Sequence, residues 1–166
     1  MSARVANVIG LGLVGGSIAA GLRQRGWRVH GEDATEATTA RALELEVIDA
    51  SGLAPDAEIT FVAVPVGAVA DQVKRALAET TGIVSDVGSV KSAVCAACDD
   101  PRFVGGHPMA GSELDGLDGA DGDMFSGAIW VLTPTPTTAD TTLAIASGVV
   151  RQLGAETIAL APERHD

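Results

Sequence analysis

The feature that most constrains this chain is a glycine-spaced turn, Gly10-Leu-Gly-Leu-Val-Gly15, set between an apolar run at Val5–Gly10 and a run with helical spacing at Val14–Arg25. A strand that turns so tightly into a helix needs glycine for three separate reasons. The first makes the turn, the second lets a pyrophosphate approach the backbone, and the third lets helix and strand pack closely. The free N–H groups at the helix start, together with its dipole, then favour an anion. On this reading Gly10, Gly12, Leu13, Val14 and Gly15 form a dinucleotide-binding loop. The spacing by itself also fits a purely structural turn. The strand before it, the helix after it and an acid downstream favour the cofactor.

That acid is Asp33, at the end of a second strand, Trp27–Glu32, and 23 residues after Gly10. A carboxylate there can accept hydrogen bonds from the adenosine ribose hydroxyls and repel a 2′-phosphate, so NAD is preferred over NADP. Glu32 competes for the role, although strand alternation should turn one of the two away. Beyond it the chain keeps alternating. Helices are expected at Glu36–Leu45, Val69–Leu77, Val90 to about Cys98 and Ala139–Leu153. Strands are expected at Ile59–Val64, Ile83–Val87, Arg102–Val104, Ala128–Leu132 and Thr157–Leu160, with 114–127 a loop. This pattern predicts an α/β, doubly wound, Rossmann-type fold, with a mostly parallel sheet and helices on both faces. Residues 1–166 read as one domain, and the ending Ala161-Pro-Glu-Arg-His-Asp166, with no tail composition, reads as cut off rather than finished.

Composition narrows the partners. Apolar residues make up 46% of the chain, with two Trp, three Phe and no Tyr, so the core is built from Ala, Val, Leu and Ile. The net charge of −11 argues against nucleic acid, which needs an excess of Lys and Arg, and against an anionic membrane surface. Val5–Leu22 is an uncharged run of 18 residues, but five glycines interrupt it, so strand, turn and helix are expected rather than a membrane span. Cys95 and Cys98 form a CxxC without a second ligand pair, so buried reduced thiols are expected and no metal. A cytoplasmic location follows from these features.

The chemistry-bearing residues lie further along, in Asp86-Val-Gly-Ser-Val-Lys91 and Val104-Gly-Gly-His-Pro-Met-Ala-Gly-Ser-Glu113. His107 carries the one side chain that exchanges a proton near neutrality. It is placed between a glycine pair and Pro108, with Gly111 beyond, on what reads as a loop at a strand's carboxyl end. A satisfied loop histidine is the plain alternative. Ser89 fits an N-cap for the helix starting at Val90, alone or together with a ligand contact. Lys91 is either an anion-attracting group or a solvated residue at the helix start, and Arg102 is the other cation near these motifs.

The glycine turn, DVGSVK and HPMAGSE together resemble the prephenate/arogenate dehydrogenase family, the NAD(P)-dependent enzymes of tyrosine biosynthesis, over essentially the whole chain. The resemblance implies that His107 accepts the proton of the substrate's ring hydroxyl and that Ser89 hydrogen-bonds to that histidine and to substrate. It implies that Val64 and Pro65 border the adenosine side of the cofactor. It also implies a following helical domain that forms a homodimer and supplies further substrate groups. After Glu113 the family often continues with a small hydroxyl residue and then Gly, whereas here Asp115 precedes Gly116. The expected substrate is prephenate. An arogenate-specific or dual-specificity enzyme is the near rival, a β-hydroxyacid dehydrogenase a further one, and an NAD-sensing regulatory module the non-enzymatic one.

Overall fold

A computed structural model describes residues 2–110 and 116–166. In chain order its elements are β1 (Val5–Ile9), α1 (Leu13–Gln24), β2 (Arg28–Glu32), α2 (Glu36–Glu44), β3 (Ala50–Ser51) and β4 (Ile59–Val62). There follow α3 (Val69–Glu79), β5 (Ile83–Asp86), α4 (Ser92–Ala97), β6 (Phe103–Met109), β7 (Ile129–Thr133), α5 (Asp140–Gln152), β8 (Glu156–Ala159) and α6 (Pro162–His165). The strands form one sheet in the order β3-β2-β1-β4-β5-β6-β7-β8. All neighbours run parallel except β6 and β7.

The sheet is covered on both faces, which is why its central strands read as unbroken apolar runs. In β4 all four residues, Ile59 to Val62, are buried. Alternation sends Val8 and Phe61 to one side, under Ile18 and Leu22 of α1 and Val149 and Val150 of α5. It sends Ile9 and Val62 to the other, under Val69 and Val73 of α3 and Val94 of α4. The 18-residue uncharged run resolves into β1, the glycine turn and α1. Among the described residues no helix is long and apolar enough to cross a membrane. Cys95 and Cys98 are buried and free, and burial pushes both thiols up.

Two expectations are corrected. The strand placed at Arg102–Val104 extends to Met109, so His107 stands within β6 and not on a loop. The Gly pair and Pro108 read as loop signals, but the strand changes partner at that point. Phe103 and Val104 pair with β5, while Gly105 to Met109 pair antiparallel with β7. The Gly106 N–H points back to the β5 side, where the Asp86 carboxylate takes it. Two residues on, the Pro108 nitrogen faces the same side, where among the described residues no strand pairs with it. Second, α4 starts at Ser92, not at Val90. The single turn α6 and the two-residue strand β3 were not expected, both being too short to leave a pattern.

Candidate functional site

The strand order reverses between β1 and β4, and ligands of open α/β sheets gather at the carboxyl ends beside such a point. A cavity of about 610 Å³ lies there, lined by Gly10 and Gly12 after β1, Glu32 and Asp33 at β2, and Val64 and Pro65 after β4. Gly10 has a φ of +94°, and a Cβ on it would lie 2.2 Å from the Ala63 carbonyl oxygen. A Cβ on Gly15 would lie 1.8 Å from the Gly10 oxygen, so the third glycine sets the approach of α1 to the turn. Nothing lies within 4 Å of a Cβ on Gly12. The first and third glycines are therefore required by the protein itself, whereas the second keeps open space at the start of α1. Leu13 and Val14, both half-buried, form the first residues of that helix.

The two acids at the end of β2 do not divide as alternation suggested, since both line the cavity. Asp33 Oδ2 accepts the Leu11 N–H at 2.8 Å and Oδ1 the Thr35 N–H at 3.0 Å. Glu32 pairs with Arg75 of α3, which also lines the cavity.

On the same edge of the sheet, β6 runs past the last paired residue of β5 and carries His107. His107 Nδ1 lies 2.9 Å from Nε2 of His165 on α6, the rings meeting edge to face at 75°. His165 Nδ1 lies 2.8 Å from Asp166 Oδ1. A carboxylate only accepts, so His165 donates from Nδ1, and of the two facing ring nitrogens one must donate and one accept, which pairs Nε2 of His165 as acceptor with that donor. His107 must then donate from Nδ1. Its Nε2 is left with the lone pair and has no partner among the described residues. Desolvation holds the His107 pKa below its ordinary value, helped by His165 and Lys91 and opposed by Asp86.

Beneath His107 lies a fully buried ion pair, Asp86 with Lys91. Lys91 Nζ donates to the Gly106 carbonyl at 2.7 Å, and Asp86 Oδ1 accepts the Gly106 N–H at 3.1 Å. The pair thus takes over both backbone groups of the residue before His107, where β5 no longer does. A Cβ on Gly106 would lie 2.8 Å from the Asp86 carbonyl oxygen, so glycine lets the strands close there.

The two cations near the motifs are corrected by these contacts. Lys91 is neither solvated nor free to attract an anion, because Asp86 and Gly106 engage it. Arg102 donates to the carbonyls of Leu77, Thr80 and Gly82, closing the end of α3. Ser89 is exposed and does not cap α4: the Asp166 carboxylate accepts the N–H groups of Lys91 and Ser92 at its start, both at 2.9 Å. Ser89 makes no hydrogen bond to His107. Gly111, Glu113 and Asp115 lie outside the described residues. Sequence reasoning missed His165 and Asp166. Pro162, at the first position of a helical turn, was the available signal.

Fold, switch-point cavity and glycine turn define a dinucleotide-binding domain of Rossmann type. The family model described as "Prephenate dehydrogenase, nucleotide-binding domain" matches residues 18–159, and the chain belongs to that family. It is 32% identical to the prephenate dehydrogenase of Bacillus subtilis, over 95% of this chain and 46% of that protein. The crystal structure of Synechocystis arogenate dehydrogenase superposes with a TM-score of 0.88 at 33% identity, covering 97% of this chain and 61% of that one. That of the Aquifex aeolicus prephenate dehydrogenase in complex with hydroxyphenyl propionate and NAD+ gives 0.91 at 27% identity, covering 99% and 62%. The chain spans about half the length of the curated relatives it matches.

Proposed function

We propose that this chain is the NAD-binding domain of a prephenate dehydrogenase, which converts prephenate to 4-hydroxyphenylpyruvate by oxidative decarboxylation. The observation that carries the reading is His107, whose Nε2 has no partner among the described residues and stands at the same sheet edge as the glycine-lined cavity. The cavity fits the cofactor because its glycines leave an open approach at Gly12 and N–H groups at the start of α1. Gly10, Gly12, Leu13, Val14 and Gly15 would hold the pyrophosphate, Asp33 the adenosine ribose, and Val64 and Pro65 the adenosine side. When bound, NAD supplies the acceptor for the hydride that leaves C4 of the substrate.

The protein's own part is proton handling and placement. His107 Nε2 takes the proton of the C4 hydroxyl, a task for which a neutral imidazole is suited. Carbon dioxide leaves as the ring becomes aromatic, and this drives the step. His165, oriented by Asp166, fixes the His107 tautomer and can share the positive charge formed on the ring pair. Ser89, exposed beside this edge, is free to turn toward substrate.

A homodimer formed through a following helical domain belongs to the same reading, supported by relatives about twice as long as this chain. So does a cytoplasmic location, supported by the free, buried Cys95 and Cys98. The similarity to an arogenate dehydrogenase supports a second reading, in which arogenate is the substrate or both compounds are accepted. The test is to supply the protein at the length of its relatives with NAD and either prephenate or arogenate, and to follow NADH absorbance. Turnover of prephenate is expected. Turnover of arogenate alone gives the second reading, and turnover of neither overturns both.

A further inference from the structure

Both acids at the end of β2 line the cavity, but their side chains are committed differently. Asp33 accepts the N–H groups of Leu11 and Thr35, and its own N–H donates to Thr39 Oγ1 at 3.0 Å. It fastens the glycine turn to the start of the next loop, so removing it first loosens the turn. Glu32 instead reaches across to α3 and binds Arg75. Arg75 is further held by Glu79 Oε2 at 2.8 Å and by Gln72 Oε1 at 3.1 Å.

Among the described residues Arg75 is the only cation lining this cavity. Its planar fork would suit a phosphate, but carboxylates already occupy it on two sides. A 2′-phosphate would have to displace Glu32 while facing Asp33 as well. We propose that the Glu32–Arg75 pair decides against a 2′-phosphorylated cofactor, by keeping the cavity's one guanidinium engaged and adding a second negative charge. The proposal rests on the reading of the cavity as a NAD site. Arg41 is the competing receiver. It lines an adjoining recess with Gly12 and Asp33, and pairs with Glu44 at 3.2 Å and Asp118 at 3.5 Å.

The test is calorimetric titration of the 166-residue chain with NAD and with NADP, for the unmutated protein, Glu32→Gln and the double variant Glu32→Gln/Arg75→Leu. Freeing a charged donor on a partly exposed site should lower the NADP Kd about tenfold in Glu32→Gln. The double variant should lose that gain while its melting transition shows it folded. An unmoved NADP affinity in Glu32→Gln, with NAD binding normally to the unmutated chain, overturns this proposal alone. A gain that persists without Arg75 also overturns it and points to Arg41. Failure of the unmutated chain to bind NAD overturns the cofactor reading and this proposal with it.

Discussion

At Gly106 the N–H and the C=O are both held by a buried ion pair, and that local fact explains much of the site. Two charges are costly to bury, and the cost is offset here because each also satisfies a backbone group. Lys91→Met would leave the Asp86 carboxylate buried and unpaired, so it should destabilise the chain by about 3–5 kcal/mol in denaturant unfolding. Lys91→Met with Asp86→Asn should recover part of that loss. The glycine turn gives a second contrast. Gly15→Ala meets the Gly10 oxygen and should cost about 1–3 kcal/mol of stability. Gly12→Ala has space, so its melting temperature should stay near that of the unmutated chain while NAD affinity falls. Equal losses of stability in both variants would contradict this division of roles. The glycines of the turn were legible in the sequence because close packing limits which residue types can stand there, whereas His107 was expected on a loop and stands within β6. The burial of Lys91 was not legible: Asp86 lies five residues before it, but the pair is closed over by β6, where its backbone partner Gly106 lies 15 residues away and shows no charge.

Among the elements, α4 and α6 show how a short segment escapes sequence reasoning. The start of α4 is satisfied by Asp166, 75 residues beyond Lys91, so Ser89 looked like the cap only because it was the nearest hydroxyl. Long elements with a repeating apolar face were readable: α3 buries Val69, Val73 and Ala76 at helical spacing. A single turn such as α6 carries no period to read. The contact has a pH signature. His165 first, and then the N–H groups of Lys91 and Ser92, hold the Asp166 carboxyl well below the usual carboxylate range. A depressed acid contributes stability above its unfolded value, about 3.9, and loses it as pH falls through its folded one. Acid should therefore release the Lys91 and Ser92 amides. Their NMR shifts should move only well below pH 4, and in Asp166→Asn they should not respond to acid. Movement near pH 4 in the unmutated chain would show that Asp166 is not held there.

For the molecule as a whole, the doubly wound sheet follows from alternating apolar runs and was legible apart from the two-residue strand β3 and the antiparallel pairing of β6 with β7. That reversal is what carries His107 past the end of β5, and no local pattern announces it. Prephenate carries two carboxylates, and the two cations near the motifs, Lys91 and Arg102, are engaged within the fold. This chain alone should therefore bind NAD in calorimetry yet turn over prephenate far more slowly than the protein at the length of its relatives. Comparable turnover by the two would show that the substrate site is complete without the added length. The central claim, that His107 is the proton acceptor, is tested most directly by kcat against pH in that longer protein, for the unmutated enzyme and for His107→Asn. Because burial and its neighbours lower the His107 pKa, turnover should rise with pH through a midpoint below the ordinary value of about 6.5. In His107→Asn that rise should vanish and kcat should fall by about 10²–10⁴-fold. An unchanged kcat, or a variant that keeps the same acid limb, would contradict the assignment.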